Sequence, residues 1–358
     1  MDRDLTCRIA AQDAGMKIEE YLKRLGCSHH VLTHLKRTDH GIVLNGSWAY
    51  ASQRLAAGDE LTLHVTEETA SEQILPVPLP LHIVYEDEDL MVVDKAPDMP
   101  IHPSVHNHDN TLANGIVHYF ASRQLPFVYR CVNRLDRDTS GLLIIAKNML
   151  SAAILYQMSA DRSIHRQYLA VAEGCTPLSG TITAPIARKP DSAIMRCVDP
   201  VHGETAVTHF ERLAVGGISA LSSLCGTGSI SASSSPCGTD DVSALSSPCG
   251  TGGISASASP CASGDALCLS LLRIRLETGR THQIRVHLTS IGHPLAGDFL
   301  YNPGSAAPIG RQALHSWSLD FLHPITKEPL HFRAGLPDDM AQLLASAGLS
   351  AGQIQALL

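Results

Sequence analysis

Apolar positions change their period along the chain. Between Met16 and Arg37, Ile18, Tyr21, Leu22 and Leu25, and then Val31, Leu32 and Leu35, recur at three-to-four spacing, which predicts two short amphipathic helices. Ser28 stands where it can cap the second. The period then shortens. Gly41-Ile42-Val43-Leu44 ends in the turn Asn45-Gly46, and Glu60 to Val65 follows Ala57-Gly58-Asp59, so two strands are expected beside the helices. Residues Thr69 to Pro80 carry three prolines and neither period, and predict a stiffened linker.

Beyond Leu81 the pattern predicts strands at Ile83-Val84-Tyr85, Leu90 to Val93, Gly141 to Ala146, Gln167 to Val171, Ala206 to Phe210 and Cys268 to Leu276, with a helix from Met149 to Met158. Strands and helices do not alternate strictly. The fold class expected is therefore α+β, with a mixed, mostly antiparallel central sheet and a small N-terminal α/β module. One stretch breaks the pattern: from Ser219 to Ala266 a twelve-residue unit repeats four times, with Cys225, Cys237, Cys249 and Cys261 in register. Its Ser, Ala, Gly, Thr and Cys cannot bury a core, so a disordered insertion between two strands is expected. A spacing of twelve does not suit zinc, whose paired ligands lie about two to four residues apart. The organisation expected is thus a module over 1–68, a linker over 69–80 and a larger domain over 81–345, interrupted by 219–266.

Composition narrows the setting. The opening segment is charged throughout and no long apolar run occurs, so neither export nor membrane spanning is expected; a cytoplasmic monomer with reduced cysteines is. A net charge of −8 argues against a polyanionic partner. Local charge argues for one. Arg130 to Ala170 holds six Arg/Lys against three Asp, and Arg273 to Arg311 holds five Arg against two acids.

Those basic stretches contain the candidate chemistry. Asn133-Arg134-Leu135-Asp136-Arg137-Asp138-Thr139-Ser140-Gly141 is a charged turn delivered to the edge of the apolar strand Leu142 to Ala146, where rigid backbone can hold a carboxylate in a pocket. Glu277-Thr278-Gly279-Arg280-Thr281-His282-Gln283-Ile284-Arg285 brings a glycine turn and two guanidinium groups into a helix. His102, His106 and His108 match no ligand spacing, and no metal is expected.

Both segments resemble the RluA type of pseudouridine synthase. Arg166-Gln167-Tyr168-Leu169, Ala206-Val207-Thr208-His209-Phe210, Gly292 to Asp298 and Leu314 to Leu319 agree in the same order. The first 68 residues resemble the S-four RNA-binding module in the order helix, cap serine, helix, Gly-Ile-Val-Leu-Asn-Gly, then Leu-Ala-Ala-Gly-Asp-Glu-Leu. The resemblance implies that Asp136 is the catalytic carboxylate, that Tyr168 packs on the uracil, that Arg285 pairs with Asp136, and that Arg134 helps to extrude or hold the target nucleotide. Thr139, Arg280 and Gln283 are expected to contact substrate, and Lys36 and Arg37 to contact RNA.

Asn133 and Arg166 stand where many relatives have His and Lys. The isomerisation is redox-neutral and needs neither cofactor nor metal; a carboxylate suffices, as nucleophile at the sugar or as base toward its 2′ position. Large-subunit ribosomal RNA is the expected substrate. Transfer RNA and an inactive assembly factor are the alternatives. A glycoside hydrolase is disfavoured, because Asp136 and Asp138 lie two apart on one turn and cannot flank a bond.

Overall fold

The computed structural model describes residues 2–67, 71, 73–219 and 266–358. Its N-terminal unit contains β1 (Asp2–Arg8), α1 (Ile18–Arg24), α2 (His29–Arg37), β2 (Ile42–Leu44), β3 (Ser47–Trp48) and β4 (Glu60–Thr66). The strands form an antiparallel sheet in the order β1-β4-β2-β3. The Ser28 hydroxyl accepts the Val31 N–H and caps α2 as its position suggested. Strand β1 was not foreseen: only Leu5 and Cys7 among its residues are apolar, which is too weak an alternation to announce a strand.

The larger unit runs through β5 (His82–Glu86), β6 (Leu90–Lys95), α3 (Leu112–Ala121), β7 (Ser140–Ala146), α4 (Met149–Ala160), β8 (His165–Glu173), β9 (Ser179–Thr183), β10 (Ile186–Arg188), β11 (Arg196–Val198), β12 (Val207–Ser219), β13 (Ala266–Leu276), α5 (Gln283–Ser290), β14 (Leu314–Leu322), β15 (Pro329–Arg333), α6 (Asp338–Ser346) and α7 (Ala351–Leu357). Nine strands make one sheet in the order β5-β6-β7-β14-β8-β13-β12-β9, with β15 on β14; β10 and β11 pair separately. Only β7 and β14 run parallel in that sheet, so it is mixed and mostly antiparallel, as expected. Strand β7 is buried along its whole length. Such a strand reads as an uninterrupted apolar run, which Leu142 to Ala146 is.

Register fixes what the sheet presents. Gly141, Ser316, Tyr168, Ile274 and Phe210 lie side by side on β7, β14, β8, β13 and β12. Gly141 has φ +111°, and a Cβ there would stand 2.3 Å from the Ser316 carbonyl oxygen. Glycine at this position lets the acidic turn enter the sheet in contact with β14.

The N-terminal unit packs on α4, whose Leu150 and Ile154 share its core with Leu22, Leu35 and Leu63. Ion pairs join the units, among them Arg130 to Glu67 at 2.8 Å and Arg3 to Glu88 and Asp89 at 2.8 and 2.9 Å. The described part of the 69–80 segment is packed down, with the Ser71 N–H on the Phe127 carbonyl and Leu79 against the main core. Packing also continues past residue 345, because Ile354 of α7 is buried among Leu269, Leu271 and Leu344. Strands β12 and β13 pair in register from Thr208↔Leu276 to Ser219↔Ala266. Between those last two residues the expected repeat insertion lies outside the described residues. Among the described residues no helix is long and apolar enough to cross a membrane.

Candidate active site

One cleft of about 980 Å³ brings the expected residues together: Arg134, Asp136, Thr139, Tyr168, Arg280, Gln283 and Arg285 all line it. Lys36 and Arg37 do not. They sit exposed on α2 of the N-terminal unit, Lys36 paired with Glu19 at 3.2 Å.

Asp136 projects from the turn before β7, closed by the Thr139 N–H on the Asp136 carbonyl at 3.1 Å. Basic side chains hold this turn from beneath. Lys95 donates to the Arg137 carbonyl at 2.8 Å, and Arg311 to the Asp138 carbonyl at 3.0 Å. Lys95 is almost fully buried, and that burial pushes its ammonium down to about 7 against the pull of Asp138 and Asp136. Neither it nor Arg311 was foreseen as part of the site. The rival carboxylate, Asp138, is buried, bonded to Arg137 at 3.1 Å, and does not line the cleft.

Arg285 gives Asp136 its partner. Nη1 donates to Asp136 Oδ2 at 3.1 Å, while Nε and Nη2 donate to the two oxygens of Asp298 at 2.7 and 2.8 Å. Asp298 also accepts the Leu300 and Tyr301 N–H groups, and the Tyr301 ring lies 5.0 Å from the guanidinium carbon. The fork is thus fixed on one side by a buried carboxylate and offered on the other to a carboxylate that reaches the cleft. Asp298 lay in the stretch Gly292 to Asp298, but nothing local told its role.

Gln283 behaves differently from expectation. Its Oε1 accepts the Thr278 hydroxyl and the Arg280 N–H, and its amide donates to the Val207 carbonyl and the Thr208 hydroxyl oxygen. All four hydrogen-bonding positions are filled, so it clamps the turn before α5 instead of contacting a ligand. The chain of bonds continues: His287 Nε2 must donate to the Ala184 carbonyl, leaving Nδ1 to accept from Thr208. Burial holds the His287 imidazole below its ordinary value, which suits this neutral form. Thr139 is likewise buried, its hydroxyl taken by Gln312 at 3.3 Å.

The remaining polar groups face solvent. Arg280 pairs with Glu204 and donates to the Thr205 carbonyl at the cleft rim. Arg134 is exposed and has no hydrogen bond or ion pair among the described residues. Tyr168 is buried in the sheet while lining the cleft. Six arginines and two carboxylates line this one cavity, in a chain whose net charge is −8.

No metal reading gains support from the acidic turn before β6. Asp87, Asp89 and His323 lie close enough to share an ion, the one such group among the described residues. However, His323 Nδ1 accepts two backbone N–H groups, so Nε2 donates to Asp87, while Asp89 is bound by Arg3, Asn148 and Ser151. The group is a closed hydrogen-bond network.

Known proteins resemble the chain in sequence and in fold. A family model described as RNA pseudouridylate synthase matches residues 89–290. The chain is 36% identical over 330 residues to the uncharacterized RNA pseudouridine synthase YjbO of Bacillus subtilis, covering 92% of this chain and 98% of that one. It is 31% identical over 322 residues to ribosomal large subunit pseudouridine synthase D of Xanthomonas campestris pv. campestris, covering 85% and 80%. The solved structure of human RNA pseudouridylate synthase domain containing 1 matches with a TM-score of 0.51 at 25% identity, over 78% of this chain and 94% of that one. An arginine-lined cleft that holds Asp136 against a buried arginine, on this sheet and with these relatives, makes the chain a member of the RNA pseudouridylate synthase family and an RNA pseudouridine synthase.

Proposed function

We propose that this enzyme isomerises uridines of large-subunit ribosomal RNA, with Asp136 as the catalytic carboxylate, Tyr168 against the uracil and Arg285 as the fixed countercharge. The observation that carries the reading is the 3.1 Å contact between Asp136 and a buried arginine in a cleft lined by six arginines. The ribosomal substrate is suggested by the relative named for the large ribosomal subunit.

The chemistry follows from what each group can do. The C1′–N1 bond breaks as Asp136 either bonds C1′ or takes the C2′ proton; the freed uracil turns over, C5 joins C1′ as the Asp136–C1′ bond breaks or the proton returns to C2′, and the loss of the C5 proton is balanced by protonation of N1. Arg285 supplies fixed positive charge beside the carboxylate and need not reorganise during the reaction. A target uridine must leave its stack, which costs on the order of a few kcal/mol. Stacking on an aromatic such as Tyr168 returns roughly 1–3 kcal/mol. Arg134, exposed at the cleft and unpaired among the described residues, is suited to the phosphate of the extruded nucleotide. The N-terminal unit, residues 1–68, would add RNA contacts through Lys36 and Arg37. The enzyme would act as a cytoplasmic monomer, with the 219–266 insertion outside its catalytic machinery.

The test is tritium release from RNA labelled at uracil C5, for wild type and Asp136→Asn, after mapping the pseudouridines missing from large-subunit RNA of a strain lacking the gene. Release by wild type and none by the variant is expected. Equal release by both would reject Asp136, and a complete large-subunit map in the deletion strain would reject the substrate.

A further inference from the structure

His282 is the N-cap residue of α5 and adopts φ +57°, ψ +20°, the left-handed region that a non-glycine residue rarely occupies. Such backbone persists where surrounding contacts hold it, and it collects at functional sites. Here the contacts hold the imidazole. Nδ1 lies 2.8 Å from the Tyr301 hydroxyl oxygen, which itself accepts the Arg196 N–H at 2.8 Å, and the two rings meet edge to face at 5.7 Å. Nε2 then points into the cleft, 3.9 Å from Asp136 Oδ2. That gap is too long for a hydrogen bond, so among the described residues Nε2 has no hydrogen-bond partner at its tip.

We infer that His282 Nε2 recognises the ribose 2′-hydroxyl of the target uridine and so makes the sugar, as well as the base, part of the specificity. The inference rests on the proposed role of Asp136. In either form of that role the carboxylate works at C1′ or C2′, and the 2′ oxygen is bonded to C2′ and lies two bonds from C1′. A group beside Asp136 Oδ2 therefore stands where this oxygen must come. A hydroxyl suits the site whichever nitrogen of His282 carries the proton, because it can accept from Nε2–H or donate to bare Nε2. The imidazole is held below the ordinary histidine value, first by burial and then by Arg285 and Arg196 against Asp136, so a neutral ring meets a neutral hydroxyl. The 2′-hydroxyl is also the group by which a protein tells RNA from DNA at a single nucleotide.

The experiment uses a hairpin RNA carrying one target uridine, made with ribose or 2′-deoxyribose at that nucleotide alone. Turnover and Kd are measured for wild type, His282→Gly, His282→Gln and Asp136→Asn. Glycine removes the imidazole while accepting the left-handed backbone; glutamine returns an amide near the position of Nε2. Wild type should favour the ribose substrate by on the order of tenfold, as for one hydrogen bond at a desolvated site. His282→Gly should lose activity on ribose and little on deoxyribose, shrinking the preference to below about twofold, and His282→Gln should restore part of it. Should deoxyribose give no turnover with wild type, the same ratio is read from Kd. A His282→Gly enzyme weakened equally on both sugars, or a wild type indifferent to the sugar, would overturn the inference. Turnover by Asp136→Asn would instead reject the role of Asp136, whatever the sugar preference shows.

Discussion

Asp298 and Asp136 share one arginine, yet replacing them should have opposite consequences. Asp298 is fully buried and takes two charge-assisted bonds, 2.7 and 2.8 Å, from a guanidinium that is 3% exposed. Asp136 is a quarter exposed and takes one bond at 3.1 Å. In Asp298→Ala the guanidinium stays buried with a single, partly solvated partner. Breaking one side of a buried pair costs about 3–5 kcal/mol, a large share of the roughly 5–15 kcal/mol that holds a domain together. In Asp136→Asn a partly exposed contact is lost, about 1 kcal/mol or less. Asp298→Ala should thus lower stability strongly and, by letting Arg285 shift, cut turnover on the order of a hundredfold. Asp136→Asn should abolish turnover in a protein of nearly unchanged stability. Urea unfolding followed through the buried Trp317, together with tritium release, measures both. A loss below about 1 kcal/mol for Asp298→Ala would refute the reasoning. So would a second, undiminished loss when Asp298→Leu is added to Arg285→Met, since removing both charges should recover part of the cost.

Three further outcomes are expected. Gly141→Ala would drive a methyl into the Ser316 backbone at a φ of +111°, and should cost about 3 kcal/mol or more, read as a fall in the urea midpoint; a midpoint within error of wild type would contradict the packing. Lys95 has its folded value near 7 against an ordinary 10.5, so the folded state binds fewer protons between those limits and stability climbs with pH through that window, by at most about 1.4 kcal/mol per unit. Lys95→Met lacks this contribution, and the wild type should gain on it from pH 7 to 9.5; parallel stability curves would reject the lowered value of Lys95. Replacing residues 220–265 by Asn-Gly should close the β12–β13 hairpin at Ser219↔Ala266 and gain on the order of 1–3 kcal/mol of loop entropy. Turnover should stay within a few-fold, because the hairpin tip lies ten residues of strand, roughly 30 Å, from His209 at the cleft; failure to fold would show that the insertion is structural.

Which features were legible follows from whether their signal is local. Leu142 to Ala146, Gln167 to Val171 and the cap at Ser28 carry their own periodicity or cap chemistry, and each forms the expected element. Strand β1 exists because β4 offers it seven paired positions, which its own alternation of charges and threonine does not announce. The site divides in the same way. Asp136 and Arg285 stood in recognisable motifs, and both reached the cleft. Gln283 stood in the same motif and was expected to touch substrate, because a polar side chain beside a glycine turn reads as a free one. Its four partners come from Thr278, Arg280 and the start of β12, and no inspection of residues 277–285 alone reveals the last of these. Asp298, Lys95 and Tyr301 act through contacts that cross 13, 42 and 19 residues of chain. A motif therefore identifies the groups that reach the cleft, whereas the groups that hold them in place become visible only when the sheet brings distant segments together.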